Sequence, residues 1–236
     1  MDIDSAIILA NENSGQLSSD KNSFSPSMAM IEEKPFLEYH FHHLIRFGVK
    51  RVFLATGENK DKIYNYFGNR YKSLNINYID DKSSGNTGYA LKHGFASIDR
   101  EHFFILHASS LFCVDLHDLS EFYFAYKPDI CLTLKRKRNF FRYGSVEMDV
   151  CKVIGFEENK PQTSGMIDGR VYLTNQYLFN NYELEEYFSF EKDFLHKYCK
   201  ELNICAMRSG EEFIDARVAA DLQKAQRELV SLTAGD

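Results

Sequence analysis

The 236-residue sequence predicts an α/β fold, a mostly parallel sheet covered by helices on both faces. Two patterns carry that expectation. Between Ala6 and Leu106, short runs rich in β-branched and aromatic residues alternate with segments of helical spacing. In the second half, strand-like runs follow one another too closely for helical crossovers, so hairpin-like additions join the sheet. The 44% apolar content is ample for a full core, no Pro/Gly/Ser-rich linker divides the chain, and no internal repeat is found. One domain spanning 1–236 is expected.

Taken in order, Ala6–Ala10 reads as a buried first strand that runs into the long polar loop Asn11–Met28. A strand delivering such a loop commonly delivers it to a phosphate, yet this loop holds one glycine, Gly15, and one basic residue, Lys21. After Pro35, the residues Phe36, His40, Leu44 and Phe47 recur at four- and three-residue steps, and Gly48 follows as a stop. Arg51–Thr56 is the second strand. Asn59 to Phe67 repeats the helical pattern through Ile63 and Phe67 and closes at Gly68. Ile76–Ile79, Phe103–Leu106 and Ile130–Leu134 are further strands, with a helix beginning near Gly88 and carrying Leu91 and Phe95. "YGSVEMD", "CKVIGFEEN" and "RVYLT" read as additions at the sheet's side. Helices return at Phe188–Leu202 and Val218–Leu232, the second with Val218, Leu222, Ala225, Leu229 and Leu232 on one face.

Bulk properties exclude several classes. A net charge of -6 argues against nucleic acid as an electrostatic partner. The basic run Lys135-Arg136-Lys137-Arg138 reads as a solvated strand end or a patch facing a protein partner. The five cysteines, Cys113, Cys131, Cys151, Cys199 and Cys205, form no CxxC pair, which points to reduced, mostly buried thiols in a cytoplasmic protein. No basic leader precedes an apolar stretch, and no apolar run approaches the ~18 residues that span a bilayer.

In an open α/β sheet a ligand sits beyond the carboxyl ends of the strands. That places the loop Asn11–Met28, the stretch "SSGNTGYA" (Ser83–Ala90) and "HASSLF" (His107–Phe112) at the site, with Asp215 of "FIDARVAADL" joining from the C-terminal half. His107 falls at the ligand end of its strand, without a carboxylate partner that the sequence alone identifies. His40 and His43, three apart on one helix, have a zinc-like spacing, but with no further ligand in view they read as a surface-facing helix turn. No serine has the surroundings of an activated nucleophile.

The ordered set "AIILA", "MAMIEEKPFLEY", "RYGSVEMD", "FEENKP", "SGMIDGRVYLT", "FSFEKDFLHK" and "FIDARVAADLQKAQ" resembles the sugar-1-phosphate nucleotidyltransferases, in particular the heptose-1-phosphate and mannose-1-phosphate guanylyltransferases. The resemblance runs from Ala6 to Gln226. It implies a Rossmann-like, glycosyltransferase-A-like fold with a nucleotide-binding half over 1–128 and a sugar-phosphate-binding half over 129–236. It also implies Mg²⁺-assisted attack of a sugar phosphate on a nucleoside triphosphate, with release of pyrophosphate. Residues carried over are Leu9, Ala10, Thr87 and Gly88 for the nucleotide, Tyr143, Gly144, Glu158 and Lys160 for the sugar phosphate, and Asp215 for the metal.

Several positions depart from the family pattern. The G-G-x-G-x-R loop reads Asn11-Glu12-Asn13-Ser14-Gly15-Gln16, so Gln16 stands at the arginine position, and in Ser25-Pro26-Ser27 the lysine position of P-K-P is Pro26. The aspartate of N-G-D falls at Ser109. Tyr89 replaces a glycine where a base needs room, and Asn159 is inserted between Glu158 and Lys160. Asp168 and Arg170 stand where N-x-G is usual, and Arg217 follows Asp215 in place of a glycine. Mg²⁺ is ordinarily held by one or two carboxylates plus substrate phosphates. These departures imply a catalytically impaired homologue, a ligand-binding, regulatory or scaffold subunit of nucleotide-sugar or surface-polysaccharide synthesis that needs no cofactor. Its expected partners are a nucleotide, nucleotide sugar or sugar phosphate, and either further copies of itself or an active paralogue. The alternative is a working transferase that uses Mg²⁺, with Lys21, Asp80, Asp81 or Asp215 supplying replacement charges.

Overall fold

The computed structural model describes residues 3–11, 25–79, 85–157 and 160–228. Gln16, Lys21, Asp80, Asp81, Glu158, Asn159, Leu229 and Leu232 lie outside them. In chain order the elements are β1 (Ser5–Leu9), a 3₁₀ turn (Pro26–Met28), β2 (Met30–Ile31), β3 (Lys34–Pro35), α1 (Phe36–Arg46), β4 (Arg51–Ala55), α2 (Lys60–Phe67), β5 (Arg70–Tyr71), β6 (Leu74–Ile79), α3 (Thr87–Ser97) and β7 (His102–His107). There follow β8 (Ser110–Phe112), α4 (Leu116–Tyr126), β9 (Ile130–Phe140), β10 (Ser145–Asp149), β11 (Lys152–Glu157), β12 (Gln162–Asn175), a π-helical turn (Phe190–His196), β13 (Ile204–Ser209), β14 (Phe213–Asp215) and α5 (Ala219–Glu228).

Among the described residues, ten strands form one mixed sheet in the order β10-β11-β13-β9-β12-β7-β1-β4-β6-β5. The segment β6-β4-β1-β7 is parallel throughout, as the alternation of strand and helix requires. Because side chains alternate across a strand, β1 feeds two cores. Ala6 and Ile8 pack on one face with Leu37, Phe41 and Leu44 of α1, Ile63 and Phe67 of α2, and Leu116 and Leu119 of α4. Ile7 and Leu9 pack on the other with Ala90 and Leu91 of α3 and with Phe188, Phe190 and Phe194. Local signals set the ends: Asp115 caps α4 by accepting from the His117 and Asp118 amides, and Gly48 (φ 78°) turns the chain after α1.

Four expectations need correction. β12 does not lie at the sheet's side: it is fourteen residues long and sits between β9 and β7, antiparallel to both. Strands close in sequence need not be neighbours, and here the fold inserts β12 beside the parallel core. The segment expected as a helix over Phe188–Leu202 is a π-helical turn over Phe190–His196; the buried Phe190, Phe194, Leu195 and Cys199 recur at four- and five-residue steps that suit i→i+5 bonding. His40 is not surface-facing but completely buried, and burial with the nearby His43 pushes it down to about 3. Burial and Arg46 similarly push His43 down to about 4, and its ring packs on Phe47. Lastly, the basic run at the end of β9 is not merely solvated, since Lys135 Nζ donates to the Gly210 carbonyl (2.6 Å) and Lys137 reaches into the site.

Candidate active site

The helices following β1 and β4 carry the chain one way along the sheet, and α3 carries it back to the other side of β1. The strand order therefore reverses between β1 and β7, the switch point at which open α/β sheets hold ligands. Leu9 lies opposite His107 there, and the Ala108 amide donates to the Leu9 carbonyl at 2.8 Å. Leu9, Ala10, Pro26, Ser27, Ala108 and Ser109 line a shallow depression there. Four of the residues singled out by the sequence, Leu9, Ala10, Pro26 and Ser109, are thus brought together. Pro26 opens the 3₁₀ turn and contributes an apolar wall where the family pattern has a lysine.

Thr87 and Gly88 begin α3 and lock onto the segment Phe188–Glu191. The Thr87 hydroxyl donates to Glu191 Oε2 (2.9 Å) and accepts from the Phe190 amide (2.9 Å), while the Gly88 amide donates to the Phe188 carbonyl (2.9 Å). A Cβ at Gly88 would lie 2.3 Å from the Phe188 ring, so only glycine fits the approach. Tyr89 is buried and stacked on Tyr187 with centroids 5.0 Å apart, and it also packs on His93. It fills with its own ring the space that a smaller residue would leave.

The π-helical turn brings a carboxylate, Glu191, to the end of β7. Glu191 points inward, with Oε1 3.0 Å from His107 Nε2. Burial alone would raise this carboxyl, but the hydrogen bond and charge of His107, with Arg170 beyond, outweigh it and hold Glu191 at about 2. His107, without an identifiable partner in the sequence, has one in the fold. Next to it, Tyr172 donates to Asp168 Oδ2 at 2.6 Å. Asp168, Gly169 and Arg170 occupy a register shift in β12, a bulge that bends a central strand at the site. Arg170 takes a left-handed backbone (φ 60°), with its amide donating to Asp168 Oδ1. Burial pushes the Asp168 carboxyl above its ordinary range despite these bonds.

Tyr143, which the family resemblance assigns to the sugar phosphate, donates to Asp215 Oδ2 at 3.2 Å, and Lys137 Nζ lies 3.5 Å from its hydroxyl and 4.5 Å from its ring centre. Gly144 follows in the link to β10. Lys160 is exposed, two residues ahead of β12.

The two positions that the resemblance assigns to metal do converge. β8 and β14 pair with Ser110 opposite Asp215, and the Ala216 amide donates to the Ser109 carbonyl at 2.8 Å. The donor set, however, does not fit Mg²⁺. Ser109 offers a hydroxyl where a carboxylate is needed. On Asp215, Oδ1 accepts from the Arg217 amide (3.0 Å) and Nε (2.8 Å), and Oδ2 accepts from Arg217 Nη2 (2.8 Å) and Tyr143. A carboxylate has about four acceptor sites, and all four are engaged. Burial would raise the Asp215 carboxyl, but Arg217 outweighs it and holds it below the ordinary range. Among the described residues, no group of three or more His, Cys, Asp and Glu side chains is placed to hold a metal ion. The sequence marked Arg217 only as a departure from the family pattern and Lys137 only as part of a basic run; the structure brings Arg217 onto Asp215 and Lys137 onto Tyr143 beside it. Their signals were an arginine in a glycine's place and a lysine on the inward-facing alternation of a strand.

Comparison with known proteins agrees with this architecture. A family model described as "Nucleotidyl transferase" matches residues 6–228. The chain is 38% identical over 224 residues to a D-glycero-alpha-D-manno-heptose 1-phosphate guanylyltransferase of Aneurinibacillus thermoaerophilus, covering 95% of this chain and 97% of that one. It is 35% identical over 217 residues to the protein of the same name from Campylobacter jejuni, covering 92% and 96%. The crystal structure of HddC from Yersinia pseudotuberculosis complexed with GMP-PN superimposes with a TM-score of 0.83 at 24% identity, covering 96% of this chain and all of that one, which shows a shared fold.

Proposed function

We propose, since the chain belongs to the nucleotidyl transferase family, that its switch-point cleft binds a guanine nucleotide together with a sugar 1-phosphate of the heptose kind named for its curated relatives. In this reading Leu9, Ala10, Thr87 and Gly88 of the half over 1–128 face the nucleotide. Tyr143, Gly144, Glu158 and Lys160 of the half over 129–236 face the sugar phosphate. The transfer step is impaired, and one observation carries that part: Asp215, the remaining carboxylate of the metal pair, has its acceptor sites engaged by Arg217 and Tyr143, while its partner position is Ser109.

The physical reason is charge. In-line attack at the α-phosphorus drives negative charge onto the departing pyrophosphate, and that charge needs fixed cations. An arginine acting on a transferring phosphoryl group is worth roughly 10³–10⁵ in rate. Here the loop positions that would supply such cations are Gln16 and Pro26. A subunit of this kind would work in the cytoplasm beside further copies of itself or an active paralogue. Among the described residues no helix is long and apolar enough to cross a membrane.

A second reading, a working guanylyltransferase that releases pyrophosphate, has its own support. Both curated relatives are named as guanylyltransferases and match nearly the whole chain, which favours turnover over a regulatory or scaffold role. Both readings require ligand binding, which a thermal-shift series with GTP, GDP-mannose and mannose 1-phosphate tests. A ligand at ~100 times its dissociation constant stabilises by ~2.7 kcal/mol. A shift with guanine nucleotides is expected, and no shift with any of the three would sink the binding site itself.

A further inference from the structure

We propose that Cys151 and Cys205 form an oxidisable dithiol, which hydrogen peroxide converts to a disulfide that clips the β10–β11 hairpin to β13. The inference is independent of the nucleotide reading above and stands on the packing of these strands.

Three observations converge. First, the two sulfurs are in contact: Cys151 Sγ lies 3.9 Å from Cys205 Sγ. A disulfide bond is about 2.05 Å long, so an approach of about 2 Å, within the swing of a side-chain rotation, closes it. The backbone places the two residues as neighbours. Lys152 stands opposite Cys205, and the Ala206 amide donates to the Cys151 carbonyl at 2.8 Å.

Second, one sulfur is reachable and the other is shielded. Cys151 is half-buried, whereas Cys205 is buried. Oxidation follows access to the thiol, so Cys151 meets the peroxide first. Burial and the adjoining Cys151 sulfur push the Cys205 thiol up to about 11, so it waits as the protonated, resolving partner. Cys131 stands beside Cys205 on β9 but is completely buried.

Third, the turn that presents Cys151 is strained, and it lies where the hairpin is sparsely tied. Val150 and Cys151 connect Asp149 to Lys152, which pair with each other. Val150 takes a left-handed backbone (φ 54°), a position that suits Asn or Gly and disfavours a β-branched side chain. Val150 is 82% exposed, so its side chain gains little from packing. Among the described residues β11 meets β13 at the pair Lys152–Cys205, and β10 meets β12 at the pair Ser145–Ile167. A crosslink from Cys151 to Cys205 reinforces the first of these junctions, on the hairpin that begins directly after Tyr143 and Gly144.

The oxidation balances. Cys151 gives up its proton and its sulfur attacks a peroxide oxygen; the O–O bond breaks, and the departing hydroxide takes that proton as water, leaving a sulfenic acid. The Cys205 sulfur then attacks the Cys151 sulfur. The S–O bond breaks, and hydroxide leaves with the Cys205 proton as a second water. Two electrons pass from the sulfurs to the peroxide.

Thiol titration of the full chain in denaturant, before and after a small excess of hydrogen peroxide, tests the proposal. Five titratable thiols should fall to three and return to five with dithiothreitol. Mass spectrometry of the oxidised monomer should find one crosslinked peptide pair, joining Cys151 to Cys205. Cys205→Ser, which lacks the resolving thiol, should accumulate a sulfenic acid on Cys151 that dimedone traps. Cys151→Ser should keep its four thiols under the same dose. The wild-type count and peptide map stand whether or not either variant folds. Five thiols surviving the dose, or a crosslink that joins Cys205 to Cys131 or one chain to another, overturns the proposal.

Discussion

His107 Nε2 and Glu191 Oε1 lie 3.0 Å apart, joining the end of a central parallel strand to the π-helical turn that packs against the start of α3. The pair makes stability depend on pH with a definite sign. Glu191 is held at about 2 in the fold, below the ~4.3 of a free glutamate. Its contribution is therefore fully present above pH ~4.3 and is lost as the pH falls from there towards ~2, on the order of 3 kcal/mol in all. Urea titrations from pH 6 to pH 3 should show this fall, and Glu191→Gln should be both less stable at pH 6 and flatter with pH. Equal slopes for the two proteins would contradict the pairing.

Asp168 should behave oppositely. Burial raises its folded value, so stability attached to it is present at low pH and lost as the pH rises through that value. Asp168→Asn keeps an acceptor for the Arg170 amide and removes the buried charge. The variant should gain on the parent in melting temperature between pH 5 and pH 8, with the difference vanishing towards pH 4. A variant that loses ground with rising pH would show that Asp168 is stabilised as the anion.

Gly88→Ala tests the close approach at the base of α3. Its Cβ would meet the Phe188 ring at 2.3 Å, and overpacking of this kind costs about 1–3 kcal/mol. For a chain of this length that is a drop of roughly 2–12 °C in melting temperature. Trimming the ring in the double variant Gly88→Ala/Phe188→Leu should recover part of the loss. An alanine variant as stable as the parent would mean the two segments are not tightly docked.

Tyr143→Phe removes one of the four hydrogen bonds on Asp215 and leaves the three from Arg217. About 1 kcal/mol of stability should be lost by chemical denaturation. A loss of several kcal/mol would show that Tyr143, not Arg217, carries the compensation of this buried carboxylate.

The parallel half of the sheet was legible because each strand is a short apolar run and each helix has its own periodicity and stop, as Phe36 to Gly48 illustrates. The place of β12 was not, because pairing with β7 and β9 joins residues far apart in the chain, and no local pattern encodes that choice. His40 was readable but misjudged: the spacing that defines α1 puts it on the same buried face as Phe36 and Leu44. In the site, the convergence of Ser109 with Asp215 followed from the family resemblance. The capture of Asp215 by Arg217, and of Glu191 by His107, depended on side-chain directions that spacing does not fix.

Pyrophosphate release, measured with GTP, Mg²⁺ and D-glycero-α-D-manno-heptose 1-phosphate, tests the account most directly. With Asp215 neutralised by Arg217 and no carboxylate at position 109, release should stay at the level of a protein-free control even when ligand binding is demonstrated in the same preparation. Turnover in the ordinary enzymatic range of about 1–10³ s⁻¹ would contradict it and establish the working guanylyltransferase.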